Sequence, residues 1–184
     1  MKNLNFSPFP EIITDRLILR QADKEDAKEI LFLRSDKEVN TFIKRQTPNN
    51  LQEAALFLDK IAKGIEANNL IYWGISLKDK PNLIGSICLW NFSPETPKAE
   101  VGYDLMPDFQ NIGIMTEALQ AVLSYGFNNL HLNTIEAFTH FKNENSIKLL
   151  EKNNFNLVLN KTDKDNTDNI ILRIEKSPLK TAPC

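Results

Sequence analysis

Two adjoining stretches carry the residue types that can do chemistry. The first, "MPDFQNIGIMTEAL", passes from polar turn formers into a helix-forming run, with Gly113 at the join. The first N–H groups of a helix lack partners within it and carry a partial positive charge that favours anions. A glycine at the entry lets a ligand approach the backbone with no Cβ in the way. The amides of Gln110, Asn111 and Ile112 can therefore begin a cradle for a pyrophosphate. A plain strand-to-helix turn uses the same residues, and one glycine does not choose between the two. The second stretch, "AEVGYDL", lies just before it and has the alternation of a strand. Ala99, Val101, Tyr103 and Leu105 share one face, and Glu100, Gly102 and Asp104 share the other. A carboxylate beside a glycine leaves room for a substrate.

The flanking sequence supplies elements to hold these stretches. "RLILRQA" is strand-like, and Asp23 or Asp26 can cap a helix running to about residue 34. After Pro48, the apolar residues Leu51, Ala54, Ala55, Leu58, Ile61, Ala62 and Ile65 recur at helical spacing. Three strands follow, "LIYWGISLK", "LIGSICLWNF" and "AEVGYDL", separated by "DKPN" and "SPETPK". A helix is expected over residues 114–127, then a strand "NTIEAFTH" and a short helix "NENSIKLLEKNN". Two strands, "FNLVLNK" and "NIILRIEK", complete the set, joined by the polar turn "TDKDNTD". This order predicts an α+β domain with a mixed sheet covered by helices. One domain spans residues 1–184, with its core in about 11–176 and loose ends on either side.

Composition narrows the function classes. The 184 residues include 42% hydrophobic residues and carry a net charge of −2, which offers no basic face for nucleic acid. No apolar run approaches the ~20 residues of a membrane span. The first residues lack the pattern of a signal peptide. Two cysteines, Cys88 and Cys184, make no disulfide framework, so a reduced, cytoplasmic setting is expected. The two histidines, His131 and His140, have no ligand set around them, and no metal is expected. Trp73, Trp90 and Phe92 are expected in packing rather than in a pocket. The acidic turn is expected in solvent, and His140 at a strand end.

Three motifs in order resemble the GNAT superfamily of acetyl-coenzyme A dependent N-acetyltransferases. "QNIGIM" fits its Gln/Arg-x-x-Gly-x-Gly/Ala signature up to Met115, which replaces a small residue. "NENSIKLLEKNNF" fits Asn-x-x-Ser/Ala followed by a helix and Gly-Phe, with Asn143 and Ser146 in place and Asn154 instead of glycine. "TDRLILRQADKEDA" is similar to the opening of the ribosomal-protein-alanine acetyltransferase branch (RimJ/RimL-like). The matches span residues 14–155.

This resemblance implies a mostly antiparallel central sheet of about seven strands, splayed between the fourth and fifth, Glu100–Leu105 and Thr134–His140. The pantetheine arm of acetyl-CoA would lie in the splay. Backbone groups near Leu105 and Met106, and Asn143 from the other side, would hold that arm. The N–H groups of Gln110, Asn111, Ile112, Gly113, Ile114 and Met115 would bind the pyrophosphate. The reaction needs a base for the amine and a donor to the departing thiolate. Glu100 is the first choice of base and Glu136 the second, each directly or through a water. Many relatives protonate the thiolate with a tyrosine that is Leu150 here, so Ser146 takes that role. The acceptor is a primary amine, with the α-amino group of a protein N-terminus expected first. A small molecule such as a polyamine, amino acid or antibiotic is the alternative. The departures at Met115, Leu150 and Asn154 keep open a non-catalytic acyl-CoA binding protein. A nucleotide-phosphate binder lacks its Gly-rich, Lys-containing loop. The sequence leaves the protein as monomer or homodimer.

Overall fold

The computed structural model describes residues 4–176. The fold is α+β. One sheet holds eight strands: β1 (Ile12–Ile13), β2 (Leu17–Gln21), β3 (Leu70–Leu77), β4 (Lys80–Trp90), β5 (Lys98–Leu105), β6 (Thr134–His140), β7 (Asn156–Leu157) and β8 (Asn169–Glu175). Their spatial order is β1-β2-β3-β4-β5-β6-β8-β7. Every neighbouring pair is antiparallel except β5 and β6, which run parallel. Among the described residues four α-helices cover the sheet: α1 (Ala27–Ser35), α2 (Leu51–Glu66), α3 (Ile114–Asn128) and α4 (Glu144–Lys152).

Local chemistry explains the helix starts. Asp23 and Asp26 form a capping box around a short 3-10 turn that leads into α1. Asn50 accepts the Glu53 amide at the start of α2, and Asn143 accepts the Ser146 amide at the start of α4. Helix α3 has no side-chain cap; Gly113 enters it in the left-handed conformation at φ 81°. On one sheet face Trp73 meets Tyr125 of α3 edge to face, 5.5 Å between centroids. On the other face Tyr72 meets Phe57 of α2 at 6.1 Å. Helices α3 and α4 therefore cover the Val101/Tyr103 face, and α2 covers the Gly102/Asp104 face. Trp73, Leu89, Leu119 and Leu132 are fully buried between these layers. Each such side chain contributes about 1.5–3 kcal/mol.

Four expectations change. Residues 80–82 belong to β4 rather than to a turn; Lys80 pairs with Leu77, and a register shift accommodates Pro81. The strand expected over residues 155–161 shrinks to β7: Asn156 and Leu157 pair with β8, and the bond from the Val158 amide to the Ile171 carbonyl ends the ladder. Beyond them Leu159 is solvent-exposed, and Lys161 turns back to reach Glu136. The short β1 makes eight strands rather than seven. The N-terminal residues from Leu4 to Pro10 are anchored rather than loose: Phe6 is buried, and the Trp73 indole donates to the Pro10 carbonyl at 2.7 Å. Nearly all of the expected C-terminal tail, residues 177–184, lies outside the described residues.

Asn154 explains its own departure from the family pattern. It stands at φ 64°, in the left-handed region, just before the buried Phe155. Glycine is strain-free there, and asparagine is among the next best residues. Asn154→Gly should leave stability within about 1 kcal/mol of the original. Asn154→Val should cost about 1–2 kcal/mol in urea unfolding.

Candidate functional site

The parallel pair β5–β6 is short. Its register runs from Lys98 opposite Thr134 to Val101 opposite Ala137 and then stops. Beyond that point Gly102–Leu105 pair only with β4, and Phe138–His140 pair only with β8. The strands part, and their facing backbone edges open a slot for an extended, amide-bearing chain. The expected splay is therefore present. Part of its edge is already engaged. The Met106 amide donates to the Ile84 carbonyl at 2.9 Å, and the Gln110 side chain donates to the Leu105 carbonyl at 3.0 Å. The Met106 amide is thus bonded within the fold, so it is not one of the backbone groups near Leu105 and Met106 left to meet a ligand.

At the open end of the slot the chain turns into α3. The Gln110 amide donates to the Pro107 carbonyl, so this residue drops out of the expected cradle as a backbone donor. The amides of residues 111–115 donate to no group among the described residues. Left-handed Asn111, φ 61°, and Gly113 fold these amides into one turn at the N-terminus of α3. Such a turn with a helix end behind it accepts an anion. Met115, which departs from the signature, turns its side chain into the core and leaves the loop unobstructed.

A clamp from the connection between β1 and β2 holds this turn. Arg16 donates through Nη1 to the Ile112 carbonyl at 3.0 Å and through Nε to Glu117 at 2.6 Å. Glu117 also accepts from the Thr14 hydroxyl and the Arg16 amide. Burial would raise the Glu117 carboxyl, but these donors hold it below the ordinary value. A carboxylate beside an anion site would repel the ligand; here it is paired and faces away into the clamp.

Three carboxylates stand on the Gly102 face, and their partners separate them. Asp104 accepts from the Ser86 hydroxyl at 2.6 Å and from Arg45 at 2.8 Å. Glu136, fully buried, accepts from Lys161 at 2.6 Å and Arg173 at 2.7 Å, with Lys98 at 3.4 Å. Burial would raise its carboxyl, but these cations outweigh it and hold the group below the ordinary value. So paired, Glu136 is a structural anchor and a poor base, which corrects its place as second choice. Glu100 lies beside Glu136 in the β5–β6 register. Its one hydrogen-bond donor among the described residues is the neutral Asn91 amide, at 2.7 Å. Burial pushes its carboxyl up; the Asn91 bond and the charges of Lys161 and Lys98 offset part of this, Glu136 adds to the rise, and the net direction is upward. Gly102 beside it is open on this face, where an added Cβ would meet only the Cys88 sulfur at 3.4 Å. The Cys88 thiol is pushed up to about 12 by burial, so it is no nucleophile near neutral pH.

On the opposite face, Tyr103 comes from the splayed half of β5 and meets Ser146 of α4, 2.8 Å between hydroxyl oxygens. Asn143 commits its carbonyl oxygen to the Ser146 amide, leaving its own amide as a donor. At the rim, Phe42 packs on His140 and Lys44 bonds Asp168 at 3.1 Å, so the acidic turn is bridged to the segment between α1 and α2. Trp73 is core, while Trp90 is half exposed at the end of β4. Sequence reasoning missed Arg16, Asn91 and Arg45. Their partners lie between 9 and 101 residues away, and no local pattern records such pairings.

The two neighbouring glutamates should respond oppositely to pH. A lowered carboxyl such as Glu136 adds stability above its unfolded value, and that stability is lost as pH falls through the folded one. Glu136→Gln should therefore lower stability at pH 7 by about 1–3 kcal/mol, since its cations are partly exposed and need not stay desolvated. In urea unfolding the deficit should shrink towards pH 3.

The described residues contain no group of three or more His, Cys, Asp or Glu that could hold a metal ion. Nor do they contain a helix long and apolar enough to cross a membrane. Comparison with known proteins settles the family. The Acetyltransferase (GNAT) domain matches residues 16–156. The Uncharacterized N-acetyltransferase YoaA of Bacillus subtilis is 34% identical over 147 residues, 80% of this chain and 83% of that one. The Uncharacterized N-acetyltransferase p20 of Bacillus licheniformis is 31% identical over 144 residues, 78% and 81% of the two chains. The fold matches the ribosomal-protein-S5-alanine acetyltransferase of Vibrio fischeri with a TM-score of 0.79 at 18% identity, covering 91% of this chain and 97% of that one. It also matches RimL, a ribosomal L7/L12 alpha-N-protein acetyltransferase in complex with coenzyme A, with a TM-score of 0.78 at 17% identity, covering 90% and 98%. A slot between parting strands, a turn of open amides and these similarities agree: the chain belongs to the GNAT family and is an N-acetyltransferase.

Proposed function

We propose that this enzyme transfers the acetyl group of acetyl-CoA directly to the α-amino group of a protein N-terminus, with Glu100 as general base. The observation that carries this reading is the sorting of the three carboxylates: Asp104 and Glu136 are bonded to cations, and Glu100 is not. Acetyl-CoA would lie along the β5–β6 slot, its pyrophosphate on the amides of residues 111–115. Asn143 would donate to its pantetheine arm. The nitrogen–carbon bond forms as the carbon–sulfur bond breaks. The amine proton goes to Glu100, directly or through a water, and the electron pair leaves on sulfur. Ser146 would donate a hydrogen bond to that thiolate, which takes its proton from solvent. Cys88, held as a thiol, supports direct attack over an acetyl-cysteine intermediate.

The base supports the choice of amine. An α-amino group is roughly a quarter neutral at pH 7.4, whereas a lysine ε-amino group is only about 0.1% neutral. A carboxylate suits the first far better than the second. The structural neighbours that are ribosomal-protein acetyltransferases favour the same acceptor class.

Calorimetry tests the coenzyme site without a known acceptor. Acetyl-CoA should bind in the micromolar range and ATP should not match it. Arg16→Ala should weaken acetyl-CoA about tenfold by loosening the turn, the loss of one charge-assisted hydrogen bond. Thiol release then tests the acceptor, with N-terminal peptides against polyamines and amino acids. Peptide turnover at or below the small-amine rate would overturn the acceptor assignment. Glu100→Gln should cost about 10²–10⁴ in turnover. It should also abolish an acid limb in kcat/KM whose inflection lies above the ordinary carboxylate value. Because the folded Glu100 carboxyl is raised, its ionisation opposes folding as pH rises. Glu100→Gln should therefore hold or raise the Tm at pH 7 while activity falls.

A further inference from the structure

We propose that Tyr103 is a positioning residue for the departing thiolate: its hydroxyl donates to the Ser146 Oγ and so turns the Ser146 proton towards the sulfur of coenzyme A. This rests on the reading in which Ser146 serves the thiolate. The geometry is specific. Tyr103 lies two residues beyond Val101, the last β5 residue paired with β6, so its backbone belongs to the parted edge. Its side chain reaches the α4 face, and Ser146 is its one hydrogen-bond partner among the described residues. The Ser146 amide is committed to Asn143, which fixes the serine on the first turn of α4.

Either hydroxyl can donate in the resting pair. An anion beside Ser146 removes that freedom. A thiolate accepts and cannot donate, so the Ser146 proton must point to it. The serine oxygen then needs a donor, and the Tyr103 O–H is the one within reach. The direction of the chain becomes Tyr103 to Ser146 to sulfur. The phenol is suited to remain the donor, because burial pushes it up to about 12, well above an ordinary thiol near 8.5. It holds its proton rather than passing it on, so the pair stabilises a thiolate by hydrogen bonding. Leu150 stands where many relatives carry a tyrosine on the helix; here a phenol reaches the same helix from the strand.

The test reads the thiol of bound coenzyme A, not turnover. Free CoA is bound to the enzyme, and thiolate absorbance in the ultraviolet is followed against pH. Desulfo-CoA calorimetry and thermal unfolding serve as controls. In the original enzyme the bound thiol should titrate below its value in solution. Tyr103→Phe, which deletes one hydroxyl, should move the titration up by about half to one unit. Desulfo-CoA affinity and Tm should change little. Ser146→Ala should shift at least as far, and the double variant no further than Ser146→Ala alone. Tyr103→Met deletes the same hydroxyl and serves if the phenylalanine variant does not fold. A Tyr103→Phe titration equal to the original, beside a shifted Ser146→Ala, overturns the inference and leaves the Ser146 assignment standing. An unshifted Ser146→Ala overturns that assignment and this inference together. Failure of the original enzyme to bind desulfo-CoA overturns the coenzyme site itself.

Discussion

The constraint on which the rest depends is the early end of strand pairing between β5 and β6. A sheet satisfies its backbone by continuous pairing, and an unpaired edge inside one is costly unless something fills it. Here the pairing stops after Val101 and Ala137, and each strand keeps its other neighbour. The slot is therefore rigid on both sides. An extended substrate arm can complete the sheet where protein leaves off, with the turn of open amides at its mouth and the carboxylates and hydroxyls of β5 at its floor.

Strand β5 serves both faces of that floor by alternation. Glu100 and Asp104 point to the face under α2, and Tyr103 points to the face under α3 and α4. On the proposed reading an amine enters from one side of the slot and the thiolate is held from the other. That separation lets the base and the donor to the thiolate act at one carbonyl carbon without pairing with each other. Gly102, between these residues, keeps the amine side open.

Charge in this region is organised by pairing. Glu136 and Asp104 are buried with cations in bonding contact, which occupies both carboxyl groups, and these cations hold Glu136 below its ordinary value. Glu100 is left with an amide partner, and its ionisation is opposed by burial and by Glu136. A group so placed costs the fold something at neutral pH, the usual mark of a residue retained for chemistry. Lys161 reaches Glu136 from the segment that leaves β7, so the end of that strand and the neutralisation of Glu136 are one event.

Much was determined by the sequence alone. Alternation in "AEVGYDL", the asparagine and aspartate caps, the apolar spacing of α2 and the glycine at the head of α3 are local signals, because they depend on neighbours within one turn or one strand. They sufficed for the fold class, the strand-to-helix turn and the two faces of β5. Only the tertiary structure decided which carboxylate has no cation bonded to it. The partners of Glu100, Asp104 and Glu136 lie 9, 59 and 25 or 37 residues away. It also spent the Met106 and Gln110 amides on Ile84 and Pro107, and it turned Met115 inward. Arg16 and Glu117, 101 residues apart, and Tyr103 and Ser146, 43 apart, meet only because the sheet brings the β1–β2 connection and β5 against α3 and α4. Periodicity tells which way a side chain faces; what it meets there is set by the packing of elements distant in the chain.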